Sequence, residues 1–137
     1  MFLHDQGGSP ERFAPIAIAW QLKFPGATGI VMQAAHRFVE GGAWFDDRLD
    51  RGLPQVRASE MRAERIRIAR DEVAGRIEQL QQTTGLGKAQ TLVIGQGQGG
   101  LLALELARTP LAPAGVTVAY GSRLASVLQD GDWLSGT

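Results

Sequence analysis

Apolar positions alternate between short unbroken runs and stretches with a three-to-four spacing, the two signatures of buried strands and amphipathic helices. Met1 to Leu3 is apolar and stops at His4-Asp5-Gln6-Gly7-Gly8, as the end of a strand entering a loop would. Ser9-Pro10-Glu11 reads as a helix start, with Ser as N-cap, Pro in the first turn and an acid near the positive end of the dipole. Phe13, Ile16, Ala17, Trp20 and Leu22 supply a helical apolar face, and Phe24-Pro25-Gly26 ends it. Pro15 leaves the start of this helix unfixed.

Gly29-Ile30-Val31-Met32 suits a short buried strand. Residues 33–58 read as an irregular loop containing Trp44, Phe45 and several glycines, and a loop of that length in a small domain is functional or poorly ordered. Ala58 to Thr83 is the longest expected helix. Ile66, Ala69, Val73, Ile77 and Leu80 form its buried stripe, mixed charges cover the rest, and Gly85 stops it. Thr91-Leu92-Val93-Ile94 is the clearest strand. A glycine-rich turn, 95–100, leads into a helix from Leu101 to Arg108, and Val116 to Ala119 is a further strand. Strands alternating with helices imply one α/β domain with a doubly wound, mainly parallel sheet and helices on both faces.

Composition narrows the chemistry. The 137 residues carry 14 Lys+Arg against 14 Asp+Glu, so no basic field supports a nucleic-acid partner or an anionic membrane. No apolar run approaches the roughly 20 residues of a membrane span. Cysteine is absent, which removes disulfides, a thiol nucleophile and thiolate metal ligands. His4 and His36 are the only histidines, so no metal site is expected. The first residues have neither a basic segment nor a long apolar stretch, and a cytoplasmic location is expected.

The turn Gly95-Gln96-Gly97-Gln98-Gly99-Gly100 carries two readings. As G-x-G-x-x-G on Gly95, Gly97 and Gly100, between a strand and a helix, it is a dinucleotide fingerprint, and Arg123 beyond the next strand would suit the 2′-phosphate of NADP. That fingerprint opens its βαβ unit, however, whereas here a strand and two helices precede it. As G-x-S-x-G, aligned on Gly95 and Gly99, it is the nucleophile elbow of α/β-hydrolases with Gly97 at the serine position.

The wider chain supports the second reading. Leu3-His4-Asp5-Gln6-Gly7-Gly8-Ser9 resembles the L-H-G-x-G-D-S loop of the bacterial phospholipase/carboxylesterase family of small serine esterases. Phe13-Ala14-Pro15-Ile16-Ala17 is similar to the helix after that loop, Gln33-Ala34-Ala35-His36-Arg37 to its Q-A-P-x-R, and Ala43-Trp44-Phe45-Asp46 to its A-W-F-D. Gly121-Ser122-Arg123-Leu124-Ala125 resembles the S-G-R-x-A after the next strand.

The resemblance implies an α/β-hydrolase domain over 1–137, truncated at both ends, with no cofactor and a small-molecule ester or acyl ligand as partner. It implies an oxyanion hole formed by the backbone N–H groups of Gln6 and Gln98, supported by His4, with Trp44 and Phe45 either packing their loop onto the core or bordering the acyl pocket. In the family the elbow serine attacks the ester and passes its proton to a histidine. Gly97 has no hydroxyl, and Asp130 and Asp132 but no histidine follow it. Ser9 and Ser122 are off the elbow. The expectation is therefore a carboxylic-ester hydrolase by ancestry, inactive as given, either a gene fragment or a decayed relative; a non-catalytic binding module reusing the old acyl or anion pocket is the alternative.

Overall fold

Phe2 and Leu3 point to opposite sides of a central sheet, and the same alternation in Val93 and Ile94 divides the interior into two layers. The computed structural model of the protein describes residues 1–48, 51–110 and 112–122. Their elements are β1 (Phe2–Leu3), α1 (Pro10–Lys23), β2 (Val31–Met32), β3 (His36–Phe38), β4 (Gly41–Ala43), α2 (Gln55–Thr84), β5 (Leu92–Gln96), α3 (Gln98–Arg108) and β6 (Val116–Tyr120), with a 3₁₀ turn at Lys88–Gln90. The main sheet has the order β2-β1-β5-β6 with every pair parallel. The fold is α/β, as the alternating pattern implies.

On one face, α1 packs Phe13 and Ala17 against Phe2 and Ile94. On the other, α2 and α3 enclose Leu3, Met32 and Val93 with Ile66, Val73, Ile77, Leu102 and Leu106. Ser9 caps α1, its Oγ accepting from the Arg12 N–H at 3.3 Å. The helix begins at Pro10 and runs through Pro15, whose missing N–H removes one bond near the N-terminal end.

The described residues between 33 and 58 are not the irregular loop that the sequence implies. They contain an antiparallel hairpin, β3 with β4, in the register His36↔Ala43, and the first turn of α2, which starts at Gln55. The hairpin is tied to the loop after β1: Gly7 N donates to Gly42 O at 2.8 Å and Gly42 N to Gly8 O at 2.9 Å. The helix after the glycine-rich turn also starts earlier, at Gln98 rather than Leu101. Gly85 ends α2 with a left-handed φ of 73°. Among the described residues no helix is long and apolar enough to cross a membrane.

The stripe on α2 predicts sharply unequal mutational costs. Ile77 is fully buried and Ile68 is 48% exposed on the same helix. Ile77→Ala should lose about 2–5 kcal/mol in urea unfolding, and Ile68→Ala no more than about 0.5 kcal/mol.

Candidate active site

The chain leaves β1 toward β2 on one side and later returns to β5 on the other. The winding direction therefore reverses between β1 and β5, and ligands of open α/β sheets bind outside the carboxyl ends of the strands at such a point. Two loops meet there: His4–Ser9 after β1, and the single residue Gly97 between β5 and α3.

Gly97 has φ 56° and ψ −119°, a backbone conformation that glycine takes freely and that strains any residue with a Cβ. Its N–H donates to Tyr120 O at 3.1 Å, which joins the turn to the end of β6. Gly99 is required for a different reason. A Cβ there would collide with the main chain of Leu3 and His4, so the bare Cα lets the first turn of α3 rest on the end of β1.

The Gln6 and Gln98 N–H groups converge, and the point of convergence is occupied. Both donate to one atom, Oδ1 of Asp5, each at 2.7 Å. A Cβ built on Gly97 would fall within the same carboxylate. The Asp5 side chain thus covers the N-terminus of α3 and fills the volume that an elbow side chain would need. Sequence reasoning passed over Asp5. The signal was its place in the loop motif, where the resembling pattern has a glycine after the histidine.

Behind this contact lies a buried polar frame. His4 is 1% exposed. Its Nε2 accepts from Ala34 N–H at 3.2 Å, which makes Nδ1 the protonated nitrogen, donating to Asp5 O at 2.8 Å. Both ring nitrogens are committed, so His4 holds the loop and is not placed to take a proton from a substrate. Trp44 Nε1 donates to His4 O at 2.7 Å, and the two rings lie 5.2 Å apart. The Gln98 side chain reaches the same loop: Oε1 accepts from Trp44 N at 2.7 Å, and Nε2 donates to Phe45 O at 3.0 Å. Trp44 and Phe45 are both buried in the core.

The other candidates are dispersed. His36 is exposed on β3, and Ser9 is committed as the α1 cap. Ser122 Oγ donates to Tyr120 O at 3.2 Å and lies against Gly100. Arg123, Asp130 and Asp132 lie outside the described residues. Among the described residues no three His, Cys, Asp or Glu side chains converge.

The model of one family, phospholipase/carboxylesterase, matches residues 1–129. The chain belongs to the phospholipase/carboxylesterase family. A solved structure, that of esterase PE8, superposes with a TM-score of 0.74 over 91% of this chain at 24% identity. The chain spans 57% of that protein's length. The curated proteins include no match.

Within this phospholipase/carboxylesterase scaffold the rim of the site is strongly charged. Asp46, next to Phe45, is gripped by the Arg48 guanidinium through Nε to Oδ1 at 3.0 Å and Nη2 to Oδ2 at 2.9 Å. Those bonds and the Arg48 N–H hold its carboxyl down to about 2. Arg62 pairs with Asp47 and lies 5.7 Å from the centre of the Phe45 ring. Burial alone pushes the Tyr120 phenol up from its ordinary value.

The two glutamines should respond unequally to truncation. Gln98→Ala strands a buried N–H and a buried carbonyl, and should cost about 1–3 kcal/mol, with faster hydrogen exchange at the Trp44 amide. Gln6 contributes its main-chain N–H, so Gln6→Ala should stay within about 0.5 kcal/mol of the parent.

Proposed function

We propose that this chain is a non-hydrolysing phospholipase/carboxylesterase-type domain. It keeps the crevice in which the family handles carboxylic esters, and among the described residues no nucleophile and base stand together at the elbow. What supports this reading is the elbow: its residue is Gly97, and the space for a nucleophilic side chain holds the Asp5 carboxylate. Acyl transfer needs an oxygen at that position and a base beside it. His4 has both nitrogens engaged, and His36 stands on the exposed hairpin.

The partner this reading admits is a small ester or acyl compound resting in the crevice without being cleaved. A polar cleft of about 270 Å³ opens beside it, between the start of α1 and the hairpin, lined among others by Ser9, Gln33, His36, Arg37 and Glu40. NADP fits less well. Its pyrophosphate would need the N-terminus of α3, where a carboxylate already accepts the Gln98 N–H.

The purified chain should hydrolyse p-nitrophenyl acetate no faster than a denatured control, and Gly97→Ser alone should not introduce activity. Turnover abolished by Ser122→Ala or His36→Ala would move the site and sink the proposal. NADPH should leave the melting temperature unchanged. A ligand at 100 times its Kd would add about 2.7 kcal/mol, so a reproducible upward shift would establish a nucleotide site instead.

A further inference from the structure

We propose that Asp5 is an autoinhibitory internal ligand. Its carboxylate closes the paired N–H groups of Gln6 and Gln98 and excludes a side chain from position 97, so Asp5 and Gly97 act as one coupled unit. The proposal deepens the non-hydrolysing reading and rests on the same elbow, but its tests measure coupling and occupancy rather than turnover.

Three observations support it. One carboxylate oxygen is shared by two main-chain donors 92 positions apart in sequence, both at 2.7 Å. Donors from separate loops converging on one oxygen form a pocket for negative charge, and α3, with 11 residues, adds the positive end of its dipole. The second observation is steric. The three heavy atoms nearest to a Cβ built on Gly97 all belong to this carboxylate. The third is economy of tethering. Gln6 directly follows Asp5, and the Asp5 main chain is fixed by Gly8 N donating to Asp5 O at 2.9 Å and by the His4 ring. Little freedom is left to lose when the side chain closes the pocket.

Two consequences separate this arrangement from ordinary surface hydrogen bonding. A Cβ at 97 is opposed by two effects, the backbone angle and the Asp5 carboxylate, and only the second disappears when Asp5 is truncated. Removal of the carboxylate also leaves two aligned donors without their acceptor, and a free small carboxylate has the chemistry to replace it.

The first experiment is a double-mutant cycle in the full chain with Asp5→Gly, Gly97→Ser and the pair, read by thermal melting. Gly97→Ser should lower Tm by on the order of 5 °C more in the parent than in the Asp5→Gly background. Equal losses in both backgrounds would mean that backbone strain alone disfavours serine, and would overturn the coupling. The second experiment follows the Gln6 and Gln98 amide signals by NMR during titration with sodium acetate, with sodium chloride as the ionic-strength control. In Asp5→Gly both amides should shift together and saturably with acetate; in the parent neither should. Saturable shifts in the parent, or none in Asp5→Gly, would overturn internal occupancy. Asp5→Asn covers the case in which the glycine variant fails to fold. It keeps the shape, so Gly97→Ser should remain costly in that background, while both amides move upfield together as a charged acceptor becomes neutral. Amides that move independently, or not at all, would show that the carboxylate does not bind them as a pair. Esterase activity in the parent would refute the non-hydrolysing reading while leaving these readouts to stand or fall separately.

Discussion

The loop after β1 and the start of α3 are held together at one oxygen. Asp5 Oδ1 accepts from Gln6 and Gln98, and the backbone of each loop is committed to that geometry from behind. Main-chain donors at a helix start need an acceptor. Water can serve, but a carboxylate gives shorter and roughly twice as strong bonds. Asp5 is itself exposed, so solvent screens part of that gain. The constraint it imposes is geometric: while the carboxylate is there, position 97 has room only for a hydrogen atom.

The buried frame explains why the pocket keeps its form around a glycine. His4, Trp44 and Gln98 form a connected set of hydrogen bonds that ties β1, the segment after the hairpin and the elbow to one another. Each of these side chains spends its polar atoms on main-chain partners. In a low-dielectric interior such a network is rigid when complete and costly when broken. The motif residues that resemble a catalytic family therefore act here as scaffold. The likeness in sequence reports the frame, and says nothing of whether the reacting atoms remain.

Much of the fold was legible because its elements carry strong local signals: the Ser9 cap, the Ile66-to-Ile77 stripe, the apolar run before Gly95. The hairpin was not. Its strands have three residues each, too few for periodicity, and its turn passes through Val39 at φ 53°. A β-branched residue there gives none of the Gly, Asn or Asp punctuation that marks turns. The sequence does not mark the start of α2, because Pro54 supplies no side-chain cap. The start of α3 is hidden because Gly99 and Gly100 resemble turn residues, whereas they are glycine for close packing against β1 and Ser122. In the site, the two donors were legible from the motif, since main-chain groups depend on position rather than side-chain identity. Their acceptor was not, because the meeting of residues 5 and 97 exists only once β1 and β5 are paired.

That meeting bears on what the two donors can offer an ester. Catalysis requires that a site bind the transition state better than it binds anything present beforehand. Two preorganised N–H groups are useful to an ester hydrolase because negative charge reaches them only as the reaction proceeds. In this chain they already face a carboxylate in the resting protein, supplied at very high effective concentration by the neighbouring residue. An ester carbonyl must displace that charge before it gains anything, so the differential that would lower a barrier is spent in the ground state. The same contact that orders the loop therefore takes up both donors of the crevice before any ligand arrives.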